Sequence, residues 1–179
     1  ARDVALLVGT NLDEWRLFAL TDVKLRTMDE AGLLRRLVRT APAAAGEAEA
    51  FAQRAFETYR DARSGALPID APSLWTAMQT DRVFRIPALR LAEQQLGQTP
   101  RAHVYRFDWA SPALGGALGA CHGIELPFVF GTLHDPRAAQ LAGSGPDAER
   151  LAVQAQNAWL AFARSGDPGW LQYDTAKRP

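Results

Sequence analysis

Val4-Ala5-Leu6-Leu7-Val8, an unbroken apolar run closed by Gly9, constrains this chain more than any other stretch. A continuous run of this kind predicts a strand buried on both faces, as in a parallel sheet. Such a strand needs neighbours, and with almost nothing before it none is evident within the chain. Only Ala102–Phe107 offers a second clear strand pattern. Against these two strands stand about five or six helical segments by periodicity. Helices that flank a sheet bury their apolar faces on it, and two strands cannot serve so many. The expectation is an α/β chain, rich in helix and poor in strand, whose sheet is completed by a preceding segment or another chain. A small helical domain standing alone is the competing reading.

The helices are marked by caps and stripes. Gly9-Thr10-Asn11 reads as the exit loop of the first strand, and Trp15–Leu20 as a short helix. Thr27 with Glu30 three residues later has the capping-box pattern, followed by Leu33, Leu34, Leu37 and Val38 at helical spacing. Residues 47–63 carry Phe51, Ala55, Phe56 and Tyr59 on one face and end at Ser64-Gly65. Asp70-Ala71-Pro72 opens another helix, with a turn-like or continuing piece from Asp81 to Arg85. Pro87 is placed to start the next, which runs to Leu96. Residues 146–164 form a last amphipathic helix, stopped by Gly166, Pro168 and Gly169, and the following Trp170 and Tyr173 must cover something.

Composition narrows the function classes. The 179 residues suit a single domain, and 20 basic residues balance 20 acidic ones, so no field of one sign draws nucleic acid or an anionic membrane. No apolar run approaches the ~18 residues of a membrane span. The beginning of the chain lacks an initiator Met and the shape of a signal peptide, and reads as mature or truncated sequence of a cytoplasmic protein. One cysteine allows neither an intrachain disulfide nor a cysteine-based metal site. The three histidines show no metal-ligand spacing, and no glycine-rich dinucleotide or phosphate loop occurs, so neither metal nor cofactor is expected.

Chemistry concentrates in Gly119-Ala120-Cys121-His122-Gly123-Ile124-Glu125-Leu126-Pro127-Phe128-Val129-Phe130-Gly131. Glycines on both sides of His122 permit tight turns, and the apolar run behind can anchor the segment in a core. That layout suits an imidazole held in place with one face open, and equally a buried, hydrogen-bonded one. A directing base needs an acceptor for one ring N–H. Asp13, Glu14 and Glu125 are the candidates. The first two follow the carboxyl end of the first strand, where open α/β sheets build their sites. Glu14 also reads as a carboxylate favoured at a helix N-terminus. A carboxylate followed at a distance by histidine is the order of the last two members of an α/β-hydrolase triad, but no serine here lies in a G-x-S-x-G elbow. Cys121 adjoins His122 too closely to serve as its nucleophile and reads as a packed thiol. His103 is expected at an edge or surface position of its strand, and His134 in an exposed loop.

These motifs resemble, in order and over essentially the whole length, the C-terminal portion of the type-B carboxylesterase and cholinesterase-like family, which includes the para-nitrobenzyl esterases. Leu7–Glu14 is similar to that family's strand and acid loop, and Phe84–Leu89 with Asp81 before it to a helix-opening motif. Val104–Phe107 is similar to its late strand, Gly119–Gly131 to its histidine segment, and Trp159–Pro168 with Trp170 and Tyr173 to its ending. The resemblance implies the C-terminal part of one α/β-hydrolase domain, incomplete without the N-terminal part. A helical insertion would span about 21–98, the late strand and histidine region 99–135, and the last helix and tail 136–179. It implies a carboxylic ester hydrolase with a Ser-Glu-His triad, Glu14 and His122 supplying the acid and the base. The serine would come from an N-terminal portion or complementary chain, acting on small uncharged esters. Glu125 would be structural, bonding backbone near His122, while Phe128, Phe130 and Trp15 would line a pocket or pack in the core. Trp15 stands where that family often has glycine. Without the serine the chain alone would be inactive, and a binding or structural remnant is the alternative.

Overall fold

The computed structural model describes residues 3–42, 47–98 and 101–177. Strands β1 (Leu6–Asn11) and β2 (Ala102–Phe107) pair in parallel, in register from Leu6 opposite Ala102 to Asn11 opposite Phe107. A neighbour for β1 is therefore present in the same chain, and it is β2. The strand also begins and ends later than the apolar run suggests. Val4 is exposed outside it, while Thr10 and Asn11 belong to the strand rather than to a loop and are its buried end. The ladder with β2 keeps this end extended, and Leu12 N–H still reaches Phe107 O at 3.0 Å. Leu6 to Gly9 are only half-buried, so β1 is not enclosed on both faces among the described residues. Helix dominates the rest, beginning with α1 (Arg16–Ala19) and including α4 (Ala71–Thr80) and α7 (Pro136–Ala142), which makes this a helix-rich, incomplete α/β-hydrolase-like fold.

The chain divides into two compact units, Ala1–Leu17 with Thr80–Pro179, and Phe18–Gln79. In Phe18–Gln79, α2 (Glu30–Thr40) packs against α3 (Ala48–Arg63). Leu33, Leu37, Ala52, Phe56, Leu74, Trp75 and Met78 form their common core. The capping box gives way to a later start, because Asp29, not Thr27, caps α2 and takes the Gly32 N–H at 2.8 Å. A carboxylate adjacent to the first turn also gains from the helix dipole, which a threonine hydroxyl does not. Asp22 pairs bidentately with Arg36, whose guanidinium lies 5.3 Å from the Trp75 ring centre.

In the strand-bearing unit, α5 (Ile86–Leu96) packs on both strands. A π-helical turn, Asp81–Arg85, precedes it, with Ile86 N–H bonded to Asp81 O five residues back. Pro87 has no N–H to give to the carbonyl of Val83, so a regular ladder cannot run through this point, and the helix widens by one residue. On β1, Gly9 faces Tyr105, whose ring would lie 2.3 Å from any Cβ placed there. The Tyr105 ring meets Trp159 of α8 (Pro146–Ser165) edge-on at 4.9 Å. α8 ends at Gly166, left-handed with φ 78°, as its sequence predicts. The tail covers the far edge of β2, where Tyr173 N–H bonds Ala102 O at 2.8 Å. His103, expected at the surface, is instead buried beneath it with Nδ1 at 3.1 Å from Trp170 O. Strand alternation cannot anticipate a cover made by residues 170–173.

Candidate active site

The end of β1 and the turn after it carry two adjacent carboxylates with different tasks. Glu14 is buried, its side chain 6% exposed, and its Oε1 accepts the Asn11 N–H at 2.7 Å. Its Oε2 lies 2.8 Å from Nδ1 of His122. A carboxylate takes the proton-bearing nitrogen of a neutral imidazole, so this contact puts the hydrogen on Nδ1 and the lone pair on Nε2. Asp13 turns the other way. Its N–H bonds Ala120 O at 2.9 Å and its Oδ2 accepts the Ala120 N–H at 3.1 Å. Arg16 holds the other oxygen at 3.1 Å. Of the three carboxylates that the sequence offers as partners of the ring, the structure brings Glu14 to it.

His122 stands on a tight turn between Gly119 and Gly123, both at positive φ, 54° and 79°. Gly119 has a second reason to be glycine, since a Cβ there would lie 2.3 Å from Asp13 Oδ2. Behind the turn, Cys121, Ile124 and Phe128 are fully buried. Phe128 belongs to α6 (Leu126–Val129) and meets Phe107 and Trp109 edge-on at 5.2 and 5.3 Å. It is therefore a core residue, whereas Phe130 is 72% exposed. The His122 side chain remains 48% exposed, with Phe84 of the π-helical turn against its ring at 5.0 Å. π turns gather at functional sites because they bring in a residue a regular helix would carry past. Trp15 is half-buried and its backbone N–H bonds Thr80 Oγ1 at 3.1 Å.

Electrostatics separates the neighbours. Burial pushes the Cys121 thiol up, and the nearby carboxylates Glu14, Asp13 and Glu125 add to the effect. A thiol kept protonated is a poor nucleophile, as its packing role requires. Burial, with Glu125 and Glu14 behind it, pushes the Tyr105 phenol up to about 12. His134 is exposed with Nδ1 at 3.1 Å from Gly131 O, as its loop position predicts. Among the described residues no three His, Cys, Asp or Glu side chains are gathered to hold a metal ion, and no helix is long and apolar enough to cross a membrane.

Two contacts are not visible in the sequence. Glu125, expected to bond backbone, has its Oε2 2.6 Å from the side-chain nitrogen of Asn11. Asn11, which reads as a loop residue, is 2% exposed and reaches Cys121 O as well, at 3.0 Å. The only signal for it is an amide two residues before an Asp-Glu pair at a strand end.

A buried carboxylate after one strand of a parallel pair thus meets an imidazole on a turn that follows the next, at the strand ends where open α/β sheets build their sites. The chain belongs to the carboxylesterase family, whose model matches residues 1–177. It is 33% identical over 127 residues to a phenmedipham hydrolase of Pseudarthrobacter oxydans, covering 68% of this chain and 26% of that protein. With the para-nitrobenzyl esterase of Bacillus subtilis (strain 168) it shares 29% identity over 168 residues, covering 94% of this chain and 30% of that protein. A solved PNB esterase structure superimposes with a TM-score of 0.70 at 27% identity, over 99% of this chain and 34% of that one. The chain thus spans about a third or less of the relatives it matches.

Proposed function

We propose that these residues supply the acid and base of a serine carboxylesterase, with the nucleophilic serine carried by protein outside the 179 residues. One observation carries the reading: the buried carboxylate of Glu14 lies 2.8 Å from Nδ1 of a half-exposed His122. With its proton fixed on Nδ1, the ring offers Nε2 as the base. The serine hydroxyl loses its proton to Nε2 as its oxygen attacks the ester carbonyl. The tetrahedral intermediate collapses as His122 returns that proton to the departing alcohol. Water then repeats the sequence on the acyl-enzyme, with His122 again taking and returning a proton, and the carboxylic acid leaves. Glu14 keeps the tautomer and offsets the imidazolium charge that forms twice per cycle. Backbone N–H groups that stabilise the oxyanion belong to the part that brings the serine. The names of the relatives, a phenmedipham hydrolase and a para-nitrobenzyl esterase, favour small carbonyl substrates without charge. The exposed apolar side chains of Leu126 and Phe130, just after the histidine turn, favour the same class.

The test is hydrolysis of a chromogenic ester by the full-length polypeptide or assembly that contains the serine. His122→Ala should lower kcat by a thousandfold or more, the order seen when a triad base is removed, with the fold intact. Near wild-type turnover in His122→Ala would refute the assignment. No turnover by the complete, folded wild-type protein would favour the other reading, a binding or structural role.

A further inference from the structure

Beyond acid and base, the geometry points to Asn11 as the positioning residue of His122, an inference that rests on the triad reading above. One side chain of β1 ties together both ends of the histidine turn. The Asn11 amide nitrogen donates to Cys121 O, the carbonyl just before His122, at 3.0 Å. It donates also to Glu125 Oε2, three residues after His122, at 2.6 Å. The same residue's backbone N–H holds Glu14 Oε1 at 2.7 Å. Asn11 therefore fixes the position of the carboxylate and of the turn that brings the ring to it.

Its orientation is decided by chemistry. Both groups facing the amide are oxygen acceptors, so the NH2 must face them, and a flipped amide would set three oxygens together. The remaining amide oxygen, Oδ1, is buried with no partner among the described residues. A buried acceptor left unpaired costs about 1–3 kcal/mol in general, which a threonine or valine on the same strand would avoid. The double donation is what an asparagine supplies here and a threonine or valine cannot. Misplacing a reacting group by about 1 Å can lower a rate by about a hundredfold.

Two substitutions test Asn11. Asn11→Ser is neutral and too short to reach both acceptors. Asn11→Asp removes the donor and sets a carboxylate at the Glu125 oxygen, where two like charges cannot both ionise. In the full-length protein, kcat should fall roughly tenfold in Asn11→Ser and about a hundredfold in Asn11→Asp at neutral pH, with KM little changed. The Asp variant should regain activity relative to wild type as pH falls, because a shared proton restores one hydrogen bond. In proton NMR, the downfield Nδ1–H signal of His122, identified by its loss in His122→Ala, should shift or broaden in both variants. This readout needs no turnover, so it stands even if the protein hydrolyses no ester. Folded variants with wild-type kcat, a parallel pH profile and an unmoved Nδ1–H signal would overturn the proposal. Should Asn11→Asp fail to fold, the signal and kcat of Asn11→Ser decide it alone.

Discussion

The two units of this chain place their polar groups in opposite ways. Phe18–Gln79 buries leucine, phenylalanine, tryptophan and methionine, and its ion pair of Asp22 with Arg36 is partly open to solvent. Gln79 is its one buried polar side chain among the described residues. The strand-bearing unit buries many alanines, which let elements approach closely, together with Thr10, Asn11, Glu14, Thr80, His103 and Ser111. Buried polar groups are mostly paired, and each pairing fixes a direction in space. Packing of large apolar residues stabilises without specifying orientation to that degree. The difference separates a region held by large apolar packing from one whose buried side chains include many polar groups with fixed directions.

Substitutions can break this contrast. The largest effect on stability should come from Leu74→Ala, which empties a fully buried site in Phe18–Gln79 and should cost about 2–5 kcal/mol. Chemical denaturation and hydrogen exchange of α2 and α3 measure it, and a loss below about 1 kcal/mol would mean this core does not carry its unit. Next, Gly119→Ala should affect rate more than melting. Its Cβ would collide with Asp13 Oδ2 at 2.3 Å and its φ of 54° suits glycine, so Asp13 must give up its grip on Ala120. A fall in kcat of about ten- to a hundredfold is expected, and an unchanged kcat would show that the turn does not depend on this clamp.

The smallest effect should be that of Tyr105→Phe. Burial holds the Tyr105 phenol up at about 12 against an ordinary 10.0. A raised value means the folded state keeps the proton longer, so this stabilisation is complete below pH 10 and is lost as pH rises from 10 to about 12. Tyr105→Phe should therefore lose less stability over that window, by at most about 2 kcal/mol after solvent screening. Parallel alkaline unfolding curves for the two proteins would contradict the burial argument.

The same contrast explains which features are legible in the amino-acid sequence and which are not. Helices α2, α3 and α8 announce themselves by stripes of apolar residues, and the ends of α3 and α8 by Ser64 and Gly166, whereas the start of α2 falls at Asp29 and not at the Thr27 its pattern suggests. The histidine turn and the Asp13-Glu14 pair stand out through glycines and a strand end, because local backbone needs leave marks on neighbouring residues. That Glu14 rather than Asp13 or Glu125 meets the ring is not marked there and is expected only from the family resemblance. Asn11 leaves no such mark, since its partners lie 110 and 114 residues away. Nor does His103, which is buried by a tail 67 residues later. The widening at Asp81–Arg85 is hidden because Pro87 equally permits a fresh helix start. Long-range polar pairing is what periodicity cannot see.

The most direct measurement is a crystal structure of the full-length protein after reaction with a phosphonate ester, which labels an activated serine. The account predicts the labelled serine oxygen within about 3 Å of His122 Nε2, with Glu14 still on Nδ1. A labelled serine served by another histidine, or Glu14 turned away from the ring that serves it, would contradict it.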